Sequence, residues 1–387
     1  MLNTDVMITL FKTGAMPALE YGVGLWGVGN VCKDMKDNAW KGVEKFWMSV
    51  ARYILHAPSK TPIAAITGDL AWLPFSIRAG YQAAQYWSRV SRLNDECLVR
   101  QAMCVQRKLV NEDKPCWLGN FKTLLKSLQD MSIDNLWDSW INDGVDSRFH
   151  TRTMRIKRLR FDIVSPFQTV GTGVTGLRGL PREEMIGIDR LVEEALVRVE
   201  RTTWERELAR DIAKSGREED GGNKLRTYAT FKTQVCREPY LSVINDCRKR
   251  ALLFKFRSGV APLRVETGRY EMVKKPGGNK KVRMRRPVNE RICMCCGNGI
   301  EDEYHFLCEC PLYDAQRNSL VAACKDFNSS LNNMHMRNVG MHINVVDMHE
   351  FFKNIMGTHD GALINCLANF LWHSFKIREQ QLESLHC

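Results

Sequence analysis

The sequence predicts a mainly α-helical fold with one small cysteine-rich subdomain, and three observations predict it. Apolar residues recur at three- and four-residue steps over long stretches. Prolines and glycine-rich runs interrupt those stretches at intervals that suit helices. One dense group of cysteines with a histidine stands apart between Arg291 and Arg317. Of the 387 residues, 44% are apolar and ten are tryptophan, which is enough for real cores and excludes wholesale disorder.

The first helical stripe is Val43, Phe46, Trp47, Val50 and Ile54. Pro58, Pro62 and Pro74 then break the chain into short helices, and Pro74 suits the start of a helix whose stripe is Ile77, Tyr81, Gln85, Val90 and Leu93. Such aromatic stripes read as core, not as ligand sites. A longer helix is expected over Met185–Lys214. Ile188, Leu191, Val192, Ala195, Leu196 and Val199 face inward, and Trp204, Leu208 and Ile212 extend that face. Glu193, Glu194, Glu200 and Arg201 are expected in water. The last amphipathic helix carries Leu363, Leu367, Phe370, Leu371 and Phe375 and ends in the polar stretch Lys376–Glu383.

Three points loosen the chain: glycine-rich 171–179, the charged turn 215–222, and Pro276-Gly-Gly-Asn279. The last is a tight turn inside a basic segment, which is expected to be a flexible arm, and a short hairpin is expected in the zinc-stabilised subdomain. No internal repeat is visible. Gly22-Val-Gly-Leu-Trp-Gly27 has the G-x-G-x-x-G spacing, but no β-α-β pattern supports it and it reads as a chance match.

Cys293, Cys296, His305 and Cys310 follow the spacing C-x2-C-x8-H-x4-C. Three thiolates and one imidazole make a closed tetrahedral set for structural zinc, with no position left for a reactive water. The first pair suits a tight turn, His305 and Cys310 lie about one helical turn apart, and Pro311 fits the first position of a following helix. Cys295 and Cys308 are spare thiols that could exchange with a ligand. The bland reading is a buried cysteine-rich segment, because free cysteine packs as a small hydrophobe.

The surroundings of this cluster resemble a family. Arg291, Cys293, Cys296, Glu301-Asp302-Glu303, His305-Phe306-Leu307, Cys310-Pro311, Tyr313 and Arg317 are similar to a stretch in the C-terminal region of reverse transcriptases from LINE-type (non-LTR) retrotransposons. Segments within Phe231–Tyr270 and Leu10–Gly27 resemble that family in the same order, though the zinc block alone is specific. The resemblance implies helical thumb-like and connector-like regions downstream of a polymerase palm, followed by a zinc-binding tail. It divides the chain into a helical region 1–147, a basic segment with linker and connector helix 148–225, a basic arm with the zinc subdomain 226–330, and C-terminal amphipathic helices 331–387. One departure matters. The family's palm carries adjacent aspartates for two Mg²⁺ ions, and this chain has no Asp-Asp pair. Met1 also stands almost on the block that follows the palm, so the expectation is a 3′ portion of such an element that does not polymerise.

Net charge is +12 with a pI of about 9.1, which favours a polyanionic partner. Arg148, Arg152, Arg155, Lys157, Arg158 and Arg160 form one basic run without an acid. Lys274, Lys275, Lys280, Lys281, Arg283, Arg285 and Arg286 form a second, directly before the zinc ligands. Both are candidate contacts to RNA or DNA phosphates, binding by counterion release; the alternative for each is a solvated face or, for the second, a nuclear-import-like patch. Tyr270 and Phe306 could stack on bases or pack a mini-core. Glu301-Asp302-Glu303 reads as an exposed acidic loop rather than a nuclease centre.

The fourteen cysteines are scattered outside the cluster, and Met7–Val31 is broken by Lys12, Pro17 and Glu20. These features predict a cytoplasmic or nuclear protein without a membrane partner. The sequence reading is therefore a non-catalytic, nucleic-acid-binding portion of a retrotransposon-derived reverse transcriptase. Two alternatives stay open: part of an active enzyme together with a missing polymerase portion, or a zinc-stabilised protein-interaction module.

Overall fold

A computed structural model describes residues 3–30, 38–91, 93–127, 188–213, 223–269, 271–274, 281–284, 286–327 and 345–386. The architecture is mainly helical, with one antiparallel hairpin among the described residues, β1 (Glu271–Lys274) paired with β2 (Lys281–Met284). Two compact units are each assembled from separated stretches of chain. One comprises Met1–Thr9, Ala51–Trp72 and Trp204–Cys387; the other comprises Leu10–Val50 and Leu73–Thr203. No helix among the described residues is long and apolar enough to cross a membrane.

The second unit is built on aromatic packing. Trp40 and Trp47 of the Asn38–Leu55 helix meet Phe75, the first residue of the Phe75–Ser91 helix, at ring distances of 5.7 and 5.4 Å. The Trp47 indole N–H donates to the Leu73 carbonyl at 2.8 Å, which satisfies its one polar atom in the core. The expected stripe holds at Trp47, and Ile77 and Val90 are buried. Phe46 lies 45% exposed and Leu93 sits beyond its helix end, so neither joins that core as expected. Gly24 and Gly27 serve packing. A methyl on Gly24 would meet the Gln82 carbonyl oxygen at 2.7 Å, so the Val23–Trp26 helix approaches the Phe75–Ser91 helix more closely than a side chain permits.

The first unit contains the Ile63–Leu70 helix, the second half of the Ile188–Ala213 helix, and everything after it. Trp204 and Leu208 are buried as expected and pack with Ala64, Ala65, Leu225 and Tyr228, while the Trp204 N–H donates to the Ala64 carbonyl at 2.8 Å. Val199 is 37% exposed rather than inward. Under this apolar layer lies a charged network that no periodicity announces. Asp69 is fully buried and accepts from the Tyr228 and Tyr240 hydroxyls, each at 2.9 Å, and from Arg257 Nε at 3.1 Å. Arg257 also reaches Glu238 at 2.9 Å, and Glu238 pairs with Lys232. Burial, and then the Asp69 charge, drives both tyrosines well above the usual phenol range, so each stays protonated as a donor. Two acids and two bases thus close a network with no net charge.

In the C-terminal Gly361–His386 helix, Leu367, Phe370, Leu371 and Phe375 face inward as expected. Arg378 breaks the expected polar stretch. It is 7% exposed and its guanidinium binds Glu301. The connectors 171–179 and 215–222 and the turn 276–279 lie outside the described residues, and the segments on either side of that turn pair as strands where a flexible arm was expected.

Candidate metal centre

The four expected ligands converge. The donor atoms of Cys293, Cys296, His305 and Cys310 all lie within 4.8 Å of one another, and Cys293, His305 and Cys310 are buried. Local backbone chemistry explains how. The Cys293 N–H donates to Gly299 and the Gly297 N–H donates to Cys293, both at 2.9 Å, while Ile292 and Ile300 form an antiparallel bridge. This closes the turn that carries the first sulfur pair. Gly297 and Gly299 stand at φ +73° and +69°, a region open to glycine at little cost. A methyl on Gly299 would also come to 3.0 Å from His305 Nδ1.

The second pair is set by a π-turn. His305–Glu309 winds so that the Cys310 N–H reaches the His305 carbonyl at 2.8 Å, which puts residues five apart on one side. Asp302 starts the turn by accepting the His305 N–H at 2.8 Å. Pro311 follows at the first position of a short 3₁₀ turn, as the sequence predicts. Arg317 ties off the end, donating to the Leu307 and Cys310 carbonyls at 2.8 and 2.6 Å.

The donor set fits a tetrahedral metal ion. Ordinary metal–sulfur and metal–nitrogen bond lengths place a sulfur and a nitrogen on one ion about 3.6 Å apart; Cys296 Sγ and His305 Nε2 are 3.4 Å apart. The other ring nitrogen, Nδ1, lies 3.1 Å from the Glu309 carboxylate, the outer partner that fixes which nitrogen faces the metal. Hydrogen bonds from Cys295 and Cys310 push the Cys293 thiol well below its usual range, and the bond to Cys293 pushes the Cys310 thiol up. Burial disfavours a charged His305, but its bonds to Cys293, Glu309 and Cys296 outweigh this and lift it to about 9. A metal ion takes thiolates and a neutral imidazole, so its binding releases protons and acid opposes it. Replacing Glu309 by Gln is expected to weaken metal binding about tenfold, at the low end of outer-partner effects because Glu309 is half exposed. Competition against a chromophoric chelator measures this; equal affinity would remove Glu309 from the site.

The acidic run between the ligands is a correction to the exposed loop that the sequence suggests. Glu301 and Glu303 are each 1% exposed. Glu301 takes Arg378 Nε at 2.6 Å and Nη2 at 2.9 Å, and it accepts the Arg264 N–H at 2.7 Å. Glu303 takes both bonds from Arg226 Nη2, at 2.8 and 2.7 Å. Phe306 is likewise no stacking platform. It is fully buried, with the rings of Tyr313 and Phe375 at 4.4 and 4.6 Å. Tyr270 lies outside the described residues.

Arg291 has a role that spacing did not reveal. Buried to 1% exposure, it donates to the Val265 carbonyl at 2.9 Å and twice to the Arg286 carbonyl, at 3.0 and 2.7 Å. The Arg286 N–H in turn donates to Gly268 at 3.0 Å. The base of the hairpin is thus fastened to the residue two before the first metal ligand. Of the second basic run, Lys274, Lys281 and Arg283 fall within the strands, with Lys274 opposite Lys281 and Arg283 opposite Met272. Arg286 is partly buried, 4.0 Å from Glu290. Lys275, Lys280 and Arg285 lie outside the described residues, as do Arg148, Arg152, Arg155, Lys157, Arg158 and Arg160.

Comparison with protein-family models, with curated proteins and with solved structures found no match to this chain.

Proposed function

We propose that this chain is a non-catalytic nucleic-acid-binding protein in which a structural zinc ion, held by Cys293, Cys296, His305 and Cys310, braces a basic hairpin against RNA or DNA backbone. The observation that carries the reading is the fastening of the hairpin base to the metal module through Arg291, Arg286 and Gly268. A braced arm loses less entropy on binding than a free one, so its phosphate contacts give more net affinity. Zinc suits three sulfurs and one nitrogen in a closed set; bound there it supplies folding free energy and no reactive water. The pairing of Glu301 and Glu303 with arginines supports a non-catalytic role, because neither is left to hold a reactive ion. The resemblance to the post-palm region of LINE-type reverse transcriptases points the same way.

The test uses the full chain with single-stranded RNA and DNA over a salt series. Affinity is expected to fall steeply with salt and to depend little on sequence. Changing Lys280, Lys281, Arg283 and Arg285 together to Ala should lower the salt slope by about 3, at ~0.7 per lost phosphate contact on a single strand. Unchanged slope and affinity, with metal content intact, would make the hairpin a solvated loop and leave a protein-interaction module as the better reading.

A further inference from the structure

Lys232 and Cys236 are in direct contact and take no part in the metal set. Lys232 is buried, at 3% exposure, and its ammonium has three N–H donors and three acceptors for them. These are the Cys236 carbonyl at 2.8 Å, the Cys236 sulfur at 3.3 Å and the Glu238 carboxylate. All three belong to the loop that follows the Tyr228–Phe231 helix, so the loop wraps the lysine head. Cys236 itself is only half-buried, and a small solute reaches it from water. A reachable thiol, a nitrogen touching its sulfur and a carboxylate able to take that nitrogen's proton thus meet at one point.

The geometry points to Lys232 and Cys236 as a peroxide-responsive cross-link site, closing to a sulfenamide in which the lysine nitrogen is bonded to the cysteine sulfur. First, hydrogen peroxide takes two electrons from the thiol: its O–O bond breaks, S–H becomes S–OH, and one water leaves. Then Lys232 gives a proton to Glu238, its contact partner, and the freed nitrogen lone pair attacks the sulfur. The S–N bond forms as the S–O bond breaks. The leaving hydroxide takes a second proton from the nitrogen and departs as water. Closure removes the Lys232 charge from a network that otherwise balances Asp69 and Glu238 against Arg257 and Lys232. Two buried acids then face one base, and such an imbalance is costly out of water. Oxidation therefore loosens the first unit, and a thiol reductant, by cleaving the S–N bond, restores it.

The test treats full-length wild type and Cys236→Ala with hydrogen peroxide, then denatures both, digests them with trypsin and weighs the peptides. Untreated wild type should be cut after Lys232. Oxidised wild type should give peptide 227–237 uncut at Lys232 and lighter than its reduced form by two hydrogens, and dithiothreitol should restore both cleavage and mass. Cys236→Ala should be cut after Lys232 with or without peroxide. Cleavage of oxidised wild type unchanged at Lys232 would overturn the cross-link, whether Cys236 keeps its thiol or carries oxygen. Blocked cleavage in Cys236→Ala would overturn it too, by showing that the lysine is modified without the sulfur. Urea unfolding reads the consequence: peroxide should lower the midpoint of wild type more than that of Cys236→Ala, and equal shifts would overturn the loosening of the network.

Discussion

Replacing Asp69 by Ala is expected to destabilise the first unit by about 3–5 kcal/mol, the range for breaking one side of a buried ion pair. The loss is large because three donors depend on one carboxylate: the Tyr228 and Tyr240 hydroxyls and the Arg257 guanidinium. Removing it leaves the Tyr240 hydroxyl without its acceptor, the Tyr228 hydroxyl with only the Ala65 carbonyl at 3.5 Å, and Arg257 with Glu238 as its remaining buried carboxylate. Asp69→Asn should cost less, since its carbonyl oxygen still accepts from a tyrosine while the charge is gone. Urea denaturation of full-length variants measures this, followed by tryptophan fluorescence, to which Trp204, packed with Tyr228, contributes among the ten tryptophans. A change below about 1 kcal/mol for Asp69→Ala would place it among ordinary substitutions and show that the network is not what holds these helices together.

Cys293→Ala is expected to weaken metal binding so far that the ion does not survive desalting, because Cys293 belongs to both donor groups, the four-ligand set and a second with Cys295 and Glu301. Structural zinc contributes about 10–16 kcal/mol in small sites, so one of four ligands carries on the order of 3 kcal/mol, or about a hundredfold in affinity. The disturbance should reach beyond the turn, since Phe306, next to His305, fills the core against Tyr313, Phe370 and Phe375. Zinc analysis of the desalted full chain should give about one ion in wild type and in Cys308→Ala, and none in Cys293→Ala. Acidification should release the ion from wild type as protons reclaim the imidazole and the thiolates. Retention of zinc by Cys293→Ala would refute the ligand set. Full-length protein is needed, because residues 226–330 lack Arg378 and Phe375, which hold Glu301 and Phe306.

What the sequence determined by itself was whatever depends on near neighbours. The spacing of Cys293, Cys296, His305 and Cys310 is legible because a turn and a π-turn are local constructions, each closed by hydrogen bonds within a few residues. Helices at Asn38–Leu55, Phe75–Ser91, Ile188–Ala213 and Gly361–His386 are legible because one apolar face repeats with the helical period. Tertiary structure alone decided which charges are buried and with whom. Asp69 meets Arg257 across 188 residues, and Glu301 meets Arg378 across 77. Read locally, Glu301-Asp302-Glu303 is a hydrophilic loop and Lys376–Glu383 a solvated helix end. Burial reverses both readings, because a charge leaves water only when a partner from elsewhere in the chain supplies the compensating charge and hydrogen bonds. Spacing cannot encode such a partner, since it is fixed by how the helices pack and not by the period of any one of them.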